Sequence, residues 1–332
     1  MRDLYLAVIK ELDRIDFDAI WSEFEKVPFA LVGSDQVYLD GREIPKGDRF
    51  WANTAIEFEG APLATWVVEE PKKEDPELLA SNIVHEMFHA FQKTRWVGES
   101  ADEFALMAYP DDLTAYRIKA AEISFLLRAY THNDANAFAD FINLRKSRAA
   151  LIGSAIIPEL ISEEGEGTAE YAGLCALMQL SLEKYEKLIN EVHIPMITDI
   201  KKLFSVRFTS YFTGAFLCLT LKNLGIDFYH CLGDSRPLFD VISEKDNIQS
   251  AFENYYQEKK SKFDDFLAKP HKTKIKTAKV TGFDPMNMWR MNDMYYCARF
   301  VSLDNESIPG PVILNIKPGS NRDIESIMVP TP

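Results

Sequence analysis

The run His85-Glu86-Met87-Phe88-His89 places two imidazoles four residues apart, with a carboxylate beside the first. On a helix, positions i and i+4 project from one face a single turn apart, so both rings can reach one ion at about 2.0–2.1 Å. Glu86 then adjoins the first ligand and can address a water held by the ion, as a general base must. The alternative is a pair of histidines satisfied within a buried helix. A zinc ion that does chemistry requires a third protein ligand and an open position. The acid-rich segment Glu163-Glu164-Gly165-Glu166-Gly167-Thr168-Ala169-Glu170-Tyr171 is where the sequence offers one.

In these residues the chain resembles the gluzincin metallopeptidases, the thermolysin-like and aminopeptidase-N-like enzymes, over roughly residues 50–225. Their H-E-x-x-H pair is completed by a glutamate on a later helix, often within E-G-x-A-x-Y. Glu166-Gly167-Thr168-Ala169-Glu170-Tyr171 fits that pattern, so the resemblance implies Glu166 as the third ligand of one catalytic Zn2+. It implies that Glu170, one turn on, hydrogen-bonds a ligand histidine from behind and fixes its tautomer. Tyr211-Phe212-Thr213-Gly214-Ala215 is similar to a Y-x-x-G-A helix start whose tyrosine steadies an oxyanion, a role that would fall to Tyr211. The implied activity is hydrolysis of peptide bonds in a peptide or protein substrate, with Glu86 moving the proton. Glu163 and Glu164 are expected to be a solvated acidic helix start. His193, His230 and Arg207 are fallback donors, and His132 and His271 are expected on the surface or in a linker.

The pattern also departs from that family. A long stretch separates His89 from Glu166, and its part at about 100–157 reads as an inserted helical hairpin, suited either to shaping a cleft or to acting as a lid. No G-A-M-E-N-type sequence precedes His85, so amino-terminal specificity does not transfer. The Thr54–Val68 hairpin is a candidate edge strand for an extended peptide.

These residues need helices to position them. Apolar spacing predicts a helix over residues 1–25. A helix capped by Asp75, with Pro76 at its first position, carries His85 and His89 and ends near Gly98. Further helices are expected near 112–131, 134–150 (after Asn133), from Glu166 to about Lys187, at 207–224 ended by Gly225, and at 248–267. Strand signals come earlier: Val37–Leu39 and Arg42–Ile44 flank the Asp40-Gly41 turn, and Thr54–Phe58 and Leu63–Val68 turn around Gly60. Short β-like runs return after Pro270. The fold class is therefore α+β. Residues 1–74 form an N-terminal helix with antiparallel β segments, 75–268 a helical zincin-like catalytic domain, and 272–332 a β-rich module. In that module Met286, Met288 and Trp289 read as core or turn rather than cleft residues.

A formal net charge of −14 argues against nucleic acid. The basic run Lys269–Lys276 reads as a solvated linker. Cys175, Cys218, Cys231 and Cys297 form no C-x-x-C pair, which excludes a thiolate zinc site and points to a cytoplasmic chain. No uncharged stretch is long enough for a bilayer, and the first residues lack a secretory signal. Two rivals remain. One is a di-iron carboxylate oxidase using Glu86-Met87-Phe88-His89 with Glu122, for which the nearest second motif is Asp227–His230. The other is a non-catalytic metal-binding interaction protein.

Overall fold

The computed structural model describes residues 1–95, 102–226, 228, 247–304, 306–320 and 322–331. Gly98, His230 and Cys231 lie outside the described residues, as does most of the Asp227–His230 motif.

The fold is α+β, with a sheet near the N-terminus, a helical centre and an antiparallel sheet at the C-terminus. Helix α1 (Arg2–Leu12) leads into β1 (Phe29–Val32), β2 (Gln36–Leu39), β3 (Arg42–Pro45), β4 (Thr54–Phe58) and β5 (Ala61–Val67). Their order is β3-β2-β1-β5-β4; β1 and β5 run parallel and the other pairs antiparallel. Alternation along the strands splits the sheet. Phe29, Leu31, Tyr38 and Ala64 join the main core, while Ala30, Val32, Val37 and Leu39 form a second cluster with Phe50 and Leu63. Asp40 and Gly41 take φ of 47° and 73°, the left-handed turn their sequence anticipates.

The expected helix over 1–25 stops at Leu12. Beyond it, Gln179 accepts from the Asp16 backbone N–H and donates to the Asp16 carbonyl, and Arg14 donates to the Leu180 carbonyl. The segment thus trades helical bonds for tertiary ones, while Ile15, Phe17, Ile20, Trp21 and Phe24 remain buried.

The centre comprises α2 (Pro76–Arg95), α3 (Glu103–Met107), α4 (Leu113–His132), α5 (Ala135–Ile152), α6 (Ile157–Ser162), a π-helical turn (Glu163–Gly167) and α7 (Thr168–Leu180). Then follow α8 (Leu182–Leu188), α9 (Ile194–Thr198), α10 (Ile200–Leu203), α11 (Val206–Asn223) and α12 (Asn247–Ala268). Asp75 caps α2 by accepting from the N–H groups of Glu77 and Leu78. Asp134, not Asn133, caps α5; Asn133 instead closes α4 in the left-handed region. The helix expected from Glu166 to Lys187 is broken at Ser181, whose extended backbone lets its hydroxyl cap α8 at Lys184. Residues of α1, of the first sheet and of the central helices share one hydrophobic core.

The C-terminal sheet has strands β6 (His271–Phe283), β7 (Met288–Met291), β8 (Met294–Cys297), β9 (Phe300–Leu303), β10 (Glu306–Pro309), β11 (Val312–Ile316) and β12 (Asp323–Pro330) in the order β10-β9-β6-β12-β11-β8-β7. The basic run is therefore no linker. From His271 it pairs with β12, so its backbone is bonded while Lys272 and Lys274 stay exposed. Phe104 and Met107 of α3 pack into this sheet's core and join it to the helices. Cys175, Cys218 and Cys297 are buried free thiols. Among the described residues no helix is long and apolar enough to cross a membrane.

Candidate metal centre

Leu79, Ile83, Met87 and Phe88 of α2 are buried, which turns the His85/His89 face toward α7 and α11. Helix α7 comes unusually near: a Cβ on Gly173 would stand 2.9 Å from the Ser81 carbonyl and 3.5 Å from the His85 Cβ. That approach brings Glu170, almost one turn before Gly173, beneath His85. The π-turn is seated on α11 by a second glycine contact, where a Cβ on Gly167 would lie 2.4 Å from the Gly214 Cα. Glu166 projects from this turn.

Three potential ligand atoms converge. His85 Nε2 and His89 Nε2 are 3.1 Å apart, His89 Nε2 and Glu166 Oε2 3.3 Å, and His85 Nε2 and Glu166 Oε2 3.9 Å. Ligands at about 2.0–2.1 Å in a tetrahedron stand about 3.3–3.4 Å from one another, so the spacing fits one small ion. Among the described residues this is the one group of three such side chains close enough to share a metal.

The hydrogen bonds behind the rings fix which atoms face inward. His85 Nδ1 lies 3.0 Å from Glu170 Oε2, and a carboxylate can only accept. Gln92 donates through its Nε2 to the Gly165 carbonyl and to Thr168 Oγ1, each at 2.8 Å. Its Oε1 is left to accept from His89 Nδ1 at 2.8 Å. Both imidazoles thus carry a proton on Nδ1 and turn Nε2 toward each other. Two facing Nε2 lone pairs would repel, so either a proton on one ring or a metal ion shared by both relieves them. Charge points the same way. Burial opposes a positive His85, but the bond to Glu170 and the carboxylates of Glu170, Glu86 and Glu166 outweigh it and raise the ring to about 9, so the pocket favours a positive charge at Nε2, either a proton or a metal ion.

Glu170 also accepts from His193 Nε2 at 2.7 Å. Burial works against its charge, yet the bonds from His193 and His85 hold it well below the usual carboxylate range. His193, a fallback donor in the sequence reading, is itself buried and braces Glu170. Glu86 is 6% exposed. Burial raises its carboxyl above the usual range against the pull of His85 and His89. Among the described residues no side chain is hydrogen-bonded to it.

Tyr211 lies across the site with its ring parallel to His85, centroids 6.1 Å apart. Burial and the Glu166 charge push its hydroxyl upward, so it keeps its proton and can donate. Arg207, one turn earlier on α11, donates to Glu166 Oε1 at 2.8 Å and to the Tyr211 hydroxyl at 3.3 Å, and pairs through Nε with Glu103 at 2.8 Å. Arg207, considered from the sequence as a fallback donor, is thus engaged with Glu166, Tyr211 and Glu103. Arg207 and Glu103 also line a cavity of about 240 Å³, together with Met286, Met288 and Trp289. Of these Met288 is a core residue and Met286 is half exposed.

Several expectations are corrected. Glu163 is not solvated: it is buried, accepts a fork from Arg145 and is bonded by Thr213. Glu122 is held by Arg148 and Arg145, which uses up the carboxylate that a di-iron site would need. His132 is exposed at the end of α4, as expected, whereas His271 begins β6. Gln92 and Arg207 are the functional residues missed in these roles. Both were within reach, since Gln92 follows His89 by three positions and Arg207 precedes Tyr211 by four, each on one helix face. Compared with protein-family models, curated proteins and solved structures, the chain matches none.

Proposed function

We propose that this chain is a zinc-dependent metallopeptidase of the gluzincin type, with His85, His89 and Glu166 holding one Zn2+ and Glu86 serving as general base. The observation behind this assignment is the convergence of two inward-turned Nε2 atoms and Glu166 Oε2 at a spacing that suits one small ion. When bound, a zinc ion supplies Lewis acidity that acidifies water and polarises an amide carbonyl.

The chain's own residues do the rest. Glu86 takes the proton from the water whose oxygen attacks the carbonyl carbon. It gives that proton to the amide nitrogen as the C–N bond breaks, so an acid and an amine leave. A carboxyl raised by burial suits both halves of this transfer better than an ordinary one. Tyr211 donates to the oxygen that becomes negative, an interaction stronger in the transition state than in the ground state. Glu170 and Gln92 hold the two imidazoles in their tautomers. Arg207 keeps Glu166 ionised and turned toward them. The edge strand β4 lies beside α2, where Lys93 donates to the Ala55 carbonyl at 2.5 Å. That placement supports an extended peptide as substrate.

Digestion of a mixed peptide library by zinc-loaded wild type and Glu86→Gln tests the assignment. New amino termini should appear with the wild type, while Glu86→Gln retains zinc and cleaves at least about 100-fold more slowly. Equal cleavage by both would remove Glu86 from its role. Zinc retention without cleavage by either would favour a binding protein.

A further inference from the structure

We propose that Arg145 of α5 is a positioning residue for Glu166, and that the inserted α4–α5 hairpin braces the metal site rather than covering it. The inference rests on the metal-site assignment above.

Glu166 stands on a π-turn, a rare backbone form that occurs mostly as a single turn within an α-helix. The turn continues α6 directly into α7; Thr168 Oγ1 ties it from within at the Glu164 carbonyl, and three neighbours hold it from outside. Gln92 of α2 grips it at the Gly165 carbonyl. Gly214 of α11 leaves room for it, since a Cβ there would stand 2.3 Å from the Glu163 carbonyl. The third hold comes from the insertion. Arg145 Nη1 and Nη2 reach the two oxygens of Glu163 at 2.5 and 2.8 Å, and its Nε pairs with Glu122 of α4 at 3.2 Å. Glu163 opens the turn and Glu166 follows three residues later. A planar fork on a carboxylate fixes orientation as well as distance, so Arg145 sets how the turn leaves α6 and hence where Glu166 points.

A lid must detach at low cost, and this hairpin cannot. Arg148 binds Glu122, Glu159 of α6 and the Tyr109 hydroxyl, and Lys119 pairs with Glu159 at 3.0 Å. Lys119, Arg148, Glu122, Glu159 and Glu163 are all buried. With Arg145 they make three cations against three carboxylates, and lifting the hairpin would strand buried charges on both sides.

The test compares zinc affinity by chelator competition, the visible spectrum of the cobalt(II)-loaded protein, and Tm. The proteins are wild type, Arg145→Met, Arg148→Met and the neutral pair Arg145→Met/Glu163→Gln. Arg145→Met should weaken zinc about 10–100-fold, the range for groups that orient metal ligands, and alter the cobalt spectrum. Arg148→Met, which does not touch Glu163, should lower Tm with affinity retained. The neutral pair should regain Tm and keep the weakened affinity; it carries the test alone if Arg145→Met does not fold. Affinity within twofold of wild type in Arg145→Met, or affinity that recovers together with Tm in the pair, would overturn the inference. A wild type that binds neither metal would sink the metal-site assignment and this inference with it, and would be seen before any substitution.

Discussion

At the residue scale, the tautomers matter more than the presence of two histidines. Two rings four apart on a helix are legible in the sequence, because the helix alone fixes their relation. What turns their lone pairs inward was only partly legible. Glu170 is reached through a local resemblance, whereas Gln92 is found only by following the same helix face one turn further. The His193 contact to Glu170 joins two helices whose packing no local pattern specifies. Tyr211 is the residue with the sharpest kinetic signature. With its ring beside His85 and its hydroxyl protonated, Tyr211→Phe should lower kcat about 10–1000-fold with little change in KM. Steady-state kinetics on any cleaved peptide measures this, and an unaltered kcat would move the oxyanion role elsewhere.

At the scale of elements, the π-turn and its glycine contact carry Glu166, the proposed third ligand. Gly167 and Gly214 stand in the sequence within recognisable patterns, but their reason appears only when the turn meets α11 backbone to backbone. Gly214→Ala would place a methyl 2.3 Å from the Glu163 carbonyl and 2.7 Å from the Gly167 Cα. Urea unfolding should show a loss of about 1–3 kcal/mol from this overpacking, and a change below about 0.5 kcal/mol would mean that the turn yields freely. The ion network beneath the turn makes a second prediction. Burial alone would raise Glu159, but the charges of Arg148 and Lys119 outweigh it and hold it at about 2, below its ordinary 4.5. A lowered native value adds stability that is fully present above the unfolded value and is lost as pH falls through the native one. Unfolding free energy should therefore drop between about pH 4.5 and pH 2, and Glu159→Gln should flatten that slope. An equally steep slope in the variant would assign the acid transition to other carboxylates. The irregular segment after Leu12 was not legible, because a bond to the distant Gln179 makes it, whereas the break at Ser181 is a local cap on Lys184 that the apolar spacing ran straight through.

At the scale of the molecule, the α+β class was legible from the switch between helical and alternating patterns, and both hairpins of the first sheet fell where their turns predicted. The basic run misled because charge on an exposed strand face looks the same in sequence as charge in a linker. The inserted hairpin was visible as two helices. Its purpose was not, because Arg145 and Arg148 meet Glu122, Glu159 and Glu163 only after four segments pack. Titration of chelator-stripped protein with Zn2+, with peptide cleavage read at each step, tests the central assignment most directly. Cleavage should rise to a maximum at about one equivalent of zinc per chain, as a single three-residue site requires, and stay at background throughout in Glu86→Gln. Full cleavage without added metal, or none at one bound equivalent, would contradict it.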